Sequence, residues 1–315
     1  MPDDGDRRFA AQCRRGAVLK LLVTGANGFT GRHFVANARA CGHDVVALQA
    51  NLHDRAALTE ELAGVAPQAV LHLAAISFVG HGDARAFYDV NVIGTLNLLD
   101  ALAELVQPPR SVLLASSATV YGNCTESNIT EAQPPAPVNH YAMSKMAMEY
   151  MARTYLDRLP LSFVRPFNYT GAGQAQCFVI PKLVAHFAGR ARSVELGNLD
   201  VAREFNDVRF VCAAYLELLK KARPGEVYNI CSGQPVSLTT VLALLGKLTG
   251  HQLQVQVNPA FVRRNEILRL CGSVEKLAGV VGEIRRPPLQ ETLRCMLDAS
   301  AGPACSTAAA APMAV

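Results

Sequence analysis

Tyr141 and Lys145 are four residues apart, and together they could carry out a proton transfer. Residues i and i+4 share one face of an α-helix, so a helix through this segment would place the phenol beside the ammonium. A free tyrosine has a pKa of about 10, and a neighbouring cation favours the phenolate and brings it towards a useful acid–base range. Ser117, at the end of a predicted strand, could hydrogen-bond the same substrate oxygen. Because such a pair also occurs on ordinary helix surfaces, catalysis is favoured only if the chain also holds a cofactor nearby.

Three glycines, Gly25, Gly28 and Gly31, follow an apolar segment near the start of the chain. In a strand–turn–helix unit the first permits a tight turn, the second lets the backbone approach a pyrophosphate, and the third lets the helix lie close to the sheet. Phosphate oxygens then meet backbone N–H groups at the positive end of the helix. The first gap is one residue longer than in the common dehydrogenase fingerprint. The pattern predicts a dinucleotide cofactor held by Gly25, Asn27, Gly28, Phe29, Thr30 and Gly31.

The segment after the second predicted strand, 48–51, does not identify the dinucleotide. It has no acid to bind a ribose 2′-hydroxyl and no arginine to bind a 2′-phosphate, so NADH and NADPH both remain candidates. We expect Tyr141 and Lys145 to contact the cofactor, the lysine at the nicotinamide ribose. The other expected contacts are residues at or just after the ends of predicted strands: Asn51, Leu52, Leu73, Ala74, Ala75 and Pro166. For the three at 73–75, ordinary core packing is an equally good interpretation.

Short apolar runs without clean alternation are typical of parallel strands that are buried on both faces. They occur at 18–23, 44–48, 69–73, 111–115, 161–165 and 226–230, with helical patterns between them, including 32–40, 84–106 and 141–159. This alternation predicts an α/β fold, a Rossmann-like doubly wound parallel sheet, with a smaller C-terminal α/β substrate-binding cap. We assign 17–169 plus 206–232 to the NAD(P)-binding domain, 170–205 plus 233–298 to the cap, and 1–16 and 299–315 to disordered ends.

The composition disfavours several other classes of protein. A net charge of +4 over 315 residues, with the paired arginines isolated from one another, does not form the basic stripe of a nucleic-acid-binding protein. The nine cysteines include no C-x-x-C pair and the eight histidines share no metal-binding spacing, so we predict no metal site. No apolar stretch is long enough to span a membrane, and residues 1–16 lack the apolar run of a signal peptide. We therefore expect a cytoplasmic protein that binds neither nucleic acid nor membrane.

Several segments resemble the extended short-chain dehydrogenase/reductase family, whose members act on nucleotide-linked sugars. The matching segments are the glycine turn, the strand end Ser116-Ser117-Ala118-Thr119-Val120-Tyr121-Gly122 and the helix start Tyr141-Ala142-Met143-Ser144-Lys145. Within that family, later segments are similar to those of reductases of GDP-linked 4-keto-6-deoxyhexoses, at 165–168, 171–174, 178–181, 197–205, 227–233 and 263–266. The likeness extends over residues 18–297, nearly the whole of the chain expected to be ordered.

The resemblance implies a substrate site in the cap. Asn168 and Arg203 would hold a diphosphate, in agreement with the match between a guanidinium and phosphate geometry. Arg263 would lie beside the nucleotide, and the Glu266 carboxylate would accept hydrogen bonds from the ribose hydroxyls. The remaining expected contacts are Ser77 at the hexose, Ser117 at the reacting oxygen, and Val179 and Lys182 at the base.

The resemblance also implies a reaction, the NAD(P)H-dependent reduction of a nucleotide-diphosphate 4-keto-6-deoxyhexose, in particular of GDP-4-keto-6-deoxy-D-mannose to GDP-D-rhamnose. Related dehydratases place an acid directly after the strand-end serine or threonine, where this chain has Ala118 and Thr119, so dehydration would lack its acid–base group. A sugar-nucleotide 4-epimerase with tightly bound NAD is the alternative, because the string at 117–122 also occurs in UDP-galactose 4-epimerases. A non-catalytic NAD(P)-sensing protein is a second alternative, which the intact Ser117, Tyr141 and Lys145 disfavour. The family further implies a homodimer formed through the predicted helices 84–106 and 141–159.

Overall fold

The computed structural model describes residues 17–80, 82–124, 126–261 and 267–301. Two predicted substrate contacts, Arg263 and Glu266, lie outside the described residues, as do the predicted extension 1–16 and most of the predicted tail. That tail was expected to begin at Ala299. The last helix instead continues through Ala301, because its alanines extend the helical turn.

A six-stranded parallel sheet forms the centre of the molecule. Its strands are β1 (Lys20–Thr24), β2 (Asp44–Ala47), β3 (Ala69–His72), β4 (Ser111–Ala115), β5 (Leu161–Pro166) and β10 (Val227–Ile230). The order across the sheet is β10-β5-β4-β3-β1-β2. The chain therefore leaves β1 towards β2 on one side and then winds through β3, β4 and β5 on the other. This is the predicted doubly wound topology, and ligands bind such sheets at the carboxyl ends of the strands, near the point where the order reverses.

The short strands outside this sheet are β6 (Tyr169–Thr170), β7 (Ser193–Leu196), β8 (Ala202–Arg203), β9 (Asn206–Asp207), β11 (Val236–Ser237), β12 (Gln254–Val257) and β13 (Arg269–Leu270). The helices are α1 (Phe29–Ala40), α2 (Arg55–Val65), α3 (Ala84–Tyr88), α4 (Gly94–Ala103), α5 (His140–Arg153), α6 (Val179–Ala188), α7 (Val208–Lys221), α8 (Leu238–Thr249), α9 (Glu275–Val281) and α10 (Leu289–Ala301).

Successive side chains of the central strands enter two different apolar clusters, one on each face of the sheet. Leu21 and Val23 of β1 and Leu71 of β3 lie on the first face, whereas Leu22 and Val70 lie on the second. Helices α1, α7 and α9 cover the first face, and α2, α4 and α5 cover the second. Because both faces are buried, these strands read as continuous apolar runs in the sequence.

The two long predicted helices differ from their expected bounds. The helix predicted over 84–106 is divided into α3 and α4 by a π-turn at Asp89–Ile93, and α4 ends at Ala103. Pro108 and Pro109 follow that end and lack the N–H group that a longer helix would need. The helix predicted over 141–159 begins one residue earlier and ends at Arg153, where tighter turns follow. The side chain of Asn139 caps its start by accepting a hydrogen bond from the Ala142 N–H at 2.9 Å.

A third apolar cluster forms the core of the smaller lobe. It contains Leu183 of α6, Val194 of β7, Val241 of α8 and Leu293 of α10. The position of the short helix α9 differs from the prediction, which assigned it to the cap. Its apolar side packs against α7 on the first face of the large sheet. Residues 275–284 therefore belong with the large sheet rather than with the cap, and the other boundaries of the two domains stay predictions.

Among the described residues, no helix combines the length and the apolar character needed to cross a bilayer. The same part of the chain contains no group of three histidine, cysteine or acidic side chains close enough together to hold a metal ion.

Candidate active site

The turn between β1 and α1 is built around its three glycines. Gly25 has a φ of +67°, and a Cβ on it would lie 2.7 Å from the backbone nitrogen of Ala74. A Cβ on Gly31 would lie 2.2 Å from the carbonyl oxygen of Gly25, so only glycine allows α1 to begin this close to the turn. Gly28 is exposed at the N-cap of α1, and a Cβ there would meet only the Gly25 carbonyl, at 3.2 Å. The turn therefore leaves room for a phosphate to approach the N-terminus of α1.

A buried hydrogen-bond network fixes the strand end next to this turn. The Thr24 hydroxyl lies 2.7 Å from Nδ1 of His72 and accepts from the backbone N–H groups of Leu73 and Ala74, both at 3.1 Å. On the other side of the ring, Nε2 lies 2.8 Å from the Thr95 hydroxyl. Burial is the main cause that lowers the pKa of His72 to about 3, so the imidazole is neutral at pH 7. Leu73 and Ala74 are thus held in place through their backbone, and their contact with a cofactor stays a prediction.

A segment that follows β5 crosses the start of α1. The Tyr169 hydroxyl lies 2.8 Å from the Thr30 hydroxyl, and the Tyr169 ring stacks on Phe29 with 6.2 Å between centroids. The carbonyl of Ala172 lies 2.9 Å from Nε2 of His33. The side chains of Phe29 and Thr30 therefore contact this segment, and their contact with a cofactor stays a prediction.

The other predicted cofactor residues lie along the carboxyl edge of the sheet. Asn27 is exposed in the glycine turn, and Asn51 and Leu52 follow β2. Leu52 packs against the start of α4, where a Cβ on Gly94 would lie 3.2 Å from it. Ala75 lies in the loop after β3, and Pro166 is the last residue of β5.

Ser117, Tyr141 and Lys145 come together where β4 ends and α5 begins. The Ser117 hydroxyl accepts from the backbone N–H of Thr119 at 3.2 Å and from its hydroxyl at 2.9 Å. Tyr141 and Lys145 lie in the first turns of α5, and both are buried, with 9% and 4% of their surface exposed. The Lys145 ammonium donates a hydrogen bond to the carbonyl of Ala115 at 2.8 Å.

The electrostatics of this cluster favour a protonated phenol. Burial raises the pKa of Tyr141, and hydrogen bonding with Ser117 acts in the opposite direction. Burial lowers the pKa of Lys145 to about 8, and the Glu149 carboxylate acts against that change. At pH 7 the phenol is therefore protonated and the amine is charged, which suits Tyr141 to donate a proton. The pKa of Tyr141 was expected to fall beside Lys145, but burial outweighs any such effect and raises it.

The pKa of Lys145 leads to a prediction for the pH profile. Because Lys145 loses its charge as the pH rises through about 8, we expect kcat/KM for carbonyl reduction to fall above pH 8. Lys145→Arg keeps its charge over this range, so its residual activity should not fall near pH 8. The profiles are measured between pH 6 and 10, with cofactor saturating. A wild-type rate that stays level to pH 10 would contradict the assignment.

Asn91 is a site residue that the sequence did not identify. Its side chain accepts from the Ile76 N–H at 3.0 Å and donates to the Ser144 hydroxyl at 2.9 Å. That hydroxyl in turn donates to the Tyr141 carbonyl at 2.8 Å. Asn91 thus connects the loop after β3 to the first turn of α5. In the sequence, Asn91 is a polar residue within an apolar helical pattern. Its burial becomes evident only with the π-turn, which directs its side chain inward.

A buried hydroxyl group at the edge of the sheet also fits a bound dinucleotide. The Ser116 hydroxyl, beside Ser117 at the end of β4, is buried and has no hydrogen-bond partner among the described residues. Buried hydroxyl groups are nearly always paired, so a ligand group at the end of β4 would explain this one. Together with the open backbone at Gly28, the residues present fit an NAD(P) cofactor.

The predicted diphosphate contacts lie on neighbouring segments. Asn168 is exposed between β5 and β6, and its carbonyl accepts from the Asn206 N–H at 2.9 Å. Arg203 lies in β8, where its guanidinium donates to the carbonyl of Ala202 at 3.1 Å and to that of Ile267. Ser77 is exposed in the loop after β3. Their contacts with substrate stay predictions.

The predicted base contacts lie at the start of α6. Val179 is the first residue of this helix, and Lys182 follows one turn later. The Lys182 ammonium donates to the Glu195 carbonyl at 2.7 Å and lies 4.9 Å from the centroid of the Phe261 ring. Phe261 is half exposed and presents an apolar ring beside Lys182, which the sequence did not reveal.

Comparison with known proteins identifies the family of this arrangement. Residues 21–231 match the NAD dependent epimerase/dehydratase family. Over 270 residues the chain is 35% identical to the GDP-6-deoxy-D-talose 4-dehydrogenase of Aggregatibacter actinomycetemcomitans, covering 84% of this chain and 92% of the relative. Over 293 residues it is 34% identical to the GDP-6-deoxy-D-mannose reductase of Pseudomonas aeruginosa, covering 88% and 96%.

A solved structure gives the same result. The structure of RMD from Pseudomonas aeruginosa complexed with NADPH superposes with a TM-score of 0.82 at 32% identity, covering 91% of this chain and 98% of the other. These comparisons confirm the predicted fold and the NAD(P) class of cofactor. They also confirm the resemblance to a family of oxidoreductases that act on sugar nucleotides. This chain belongs to the NAD dependent epimerase/dehydratase family.

Proposed function

We propose that this protein is an NAD(P)H-dependent reductase of a nucleotide-diphosphate 4-keto-6-deoxyhexose, specifically of GDP-4-keto-6-deoxy-D-mannose to GDP-D-rhamnose. The observation that carries this proposal is the convergence of a protonated Tyr141 with Ser117 at the carboxyl edge of the sheet, on the same edge as the glycine turn. The relatives named for GDP-6-deoxyhexoses support the sugar and the base. The cytoplasmic location inferred from the sequence is part of the same proposal.

The residues of the chain would divide the work in the following way. Bound NAD(P)H supplies the hydride. Tyr141 donates its proton to the oxygen at C4 as negative charge develops there, and Ser117 holds that oxygen by a hydrogen bond. The Lys145 ammonium stabilises the phenolate that remains and anchors the nicotinamide ribose. Arg203 and Asn168 hold the diphosphate, so the binding energy of the nucleotide orients the hexose at the reaction centre.

The stereochemistry at C4 defines a second candidate product. The relative named GDP-6-deoxy-D-talose 4-dehydrogenase acts on the C4 epimer of the rhamnose product. Transfer of the hydride to the opposite face of the same ketone would therefore give GDP-6-deoxy-D-talose. The face is decided by how the hexose lies against Ser117 and Tyr141.

One experiment tests these candidates together. The protein is incubated with freshly made GDP- and dTDP-linked 4-keto-6-deoxyhexoses, loss of NAD(P)H absorbance is followed, and the sugar formed is identified by NMR. We expect stoichiometric cofactor oxidation with the GDP-linked ketone and a rhamno-configured product. A talo-configured product would establish the second candidate. Interconversion of C4 epimers by protein that carries NAD through purification, without added cofactor, would establish the epimerase instead.

We further propose a homodimer formed through the predicted helices 84–106 and 141–159, which in the structure comprise α3, the π-turn, α4 and α5. The exposed apolar side chains on these elements include Ile93 beside α4, and Met143 and Tyr150 on α5. Tyr150→Glu should shift the mass measured by light scattering from dimer to monomer, because it places a charge in an apolar contact. Val257→Glu, at an equally exposed position on β12, should leave the mass unchanged. A monomeric wild-type protein at micromolar concentration would contradict the proposal.

A further inference from the structure

The choice between NADH and NADPH is made where the adenosine ribose binds. In doubly wound sheets that bind dinucleotides, this position lies at the carboxyl end of the second strand, beside the glycine turn. Here β2 pairs with β1 in parallel, from Lys20 opposite Asp44 to Val23 opposite Ala47, so the residues after Ala47 emerge next to that turn. The sequence of this segment contains neither an acid nor a cation. In the structure, an acid from another part of the chain lies at this segment.

Glu61, on α2, reaches back to the segment that follows β2. Its carboxylate accepts hydrogen bonds from the backbone N–H of Ala50 at 2.6 Å and from that of Gln49 at 2.9 Å, with a second contact to Gln49 at 3.2 Å. The side chain is partly buried. Two backbone donors that could otherwise bind a phosphate are thus occupied by a fixed negative charge.

Two arginines, one on α2 and one beside the glycine turn, have other partners. The guanidinium of Arg55 pairs with Asp100 at 3.8 Å and with Glu104 at the end of α4. Arg32, in the first turn of α1, donates to the carbonyls of Asn27 at 2.9 Å and Gly173 at 3.2 Å. The charge of Arg55 is therefore compensated by two acids, whereas Arg32 contacts neutral carbonyls beside the glycine turn. The Glu61 carboxylate is the charged group that contacts the segment after β2 itself.

The two cofactors differ in what they offer to this carboxylate. A carboxylate has about four acceptor positions, and the amides of Gln49 and Ala50 leave at least one for a donor. The 2′-hydroxyl of NADH can donate a hydrogen bond, whereas the 2′-phosphate of NADPH brings negative charge and acceptors only. Like charges in a partly buried site repel each other with little screening by salt.

We propose that Glu61 selects NADH over NADPH by placing its carboxylate on the backbone amides at the end of β2. The inference rests on the cofactor site of the family and not on the identity of the sugar.

Direct binding tests the proposal without turnover. The dissociation constants of NADH and NADPH are measured by nicotinamide fluorescence at 0.05 M salt for the wild type, Glu61→Gln and Glu60→Gln. The wild type should bind NADH at least ~10-fold more tightly than NADPH. Glu61→Gln keeps an oxygen acceptor and removes the charge, so it should reduce that ratio by about tenfold. Glu60→Gln removes the same charge from an exposed neighbour on the same helix and should leave the ratio within about twofold.

Thermal unfolding shows whether Glu61→Gln is still folded. A second variant tests the proposal even if Glu61→Gln is not. Gln49→Arg adds a cation at an exposed position beside the carboxylate and should tighten NADPH binding without tightening NADH binding. Wild-type protein that binds NADPH as tightly as NADH would overturn the proposal. So would equal changes in the ratio for Glu60→Gln and Glu61→Gln. Because no sugar is present, these outcomes are independent of whether the protein reduces a GDP-linked ketone.

Discussion

Tyr141→Phe should reduce the turnover number by about 10²-fold or more while leaving the dissociation constant of the reduced cofactor nearly unchanged. The variant removes the proton that neutralises the oxygen at C4. It keeps the aromatic ring, whose centroid lies 6.0 Å from the centroid of the Phe87 ring. Single-turnover oxidation of NAD(P)H by the GDP-linked ketone measures the chemical step, and fluorescence titration measures cofactor binding.

A matched control lies on the same helix. Tyr150→Phe removes a hydroxyl from a side chain of which 59% is exposed in one protomer. The ring that we place in the dimer contact is kept, so turnover should stay within about twofold of the wild type. A Tyr141→Phe enzyme that turned over as fast as the wild type would exclude Tyr141 as the proton donor. An equal loss in both variants would show that α5, and not the Tyr141 hydroxyl, had been disturbed.

Glu149→Ala should lower the free energy of unfolding by about 3–5 kcal/mol, which is a large part of the stability of a typical domain. Glu149 is 1% exposed and forms a two-point ion pair with Arg165 of β5, at 2.9 Å to Nε and 2.7 Å to Nη2. The guanidinium also lies 4.8 Å from the centroid of the Tyr121 ring. Loss of the carboxylate leaves a buried cation without its partner, which costs more than the pair itself contributes.

Urea unfolding followed by circular dichroism measures this effect. Glu60→Ala, on exposed surface, should change the free energy of unfolding by no more than about 0.5 kcal/mol. A double variant, Glu149→Leu with Arg165→Met, removes both charges and should recover much of the loss. A Glu149→Ala protein as stable as the wild type would show that water or another group satisfies Arg165.

The sequence was sufficient to predict the sheet, because each central strand is buried on both faces and is therefore apolar throughout. It also placed Ser117 and Tyr141 on one edge, because the carboxyl ends of parallel strands share an edge. It did not predict the π-turn between α3 and α4, because apolar residues continue through this segment and do not mark a single inserted residue. Nor could spacing along the chain show that Tyr169 covers the side chain of Thr30, 139 residues away. Contacts of this kind depend on tertiary packing alone.

The helix that covers the first face of the sheet lies late in the sequence, and this affects folding during synthesis. Leu21, Val23 and Leu71 pack against helix α7, which spans Val208–Lys221. A ribosome that has made only the first two hundred residues leaves this apolar surface without that helix. Contacts between such distant parts of a chain slow folding, and the uncovered surface favours association with other chains. We therefore expect fragments that end before residue 208 to aggregate, even though they contain the complete tyrosine–lysine pair and the glycine turn.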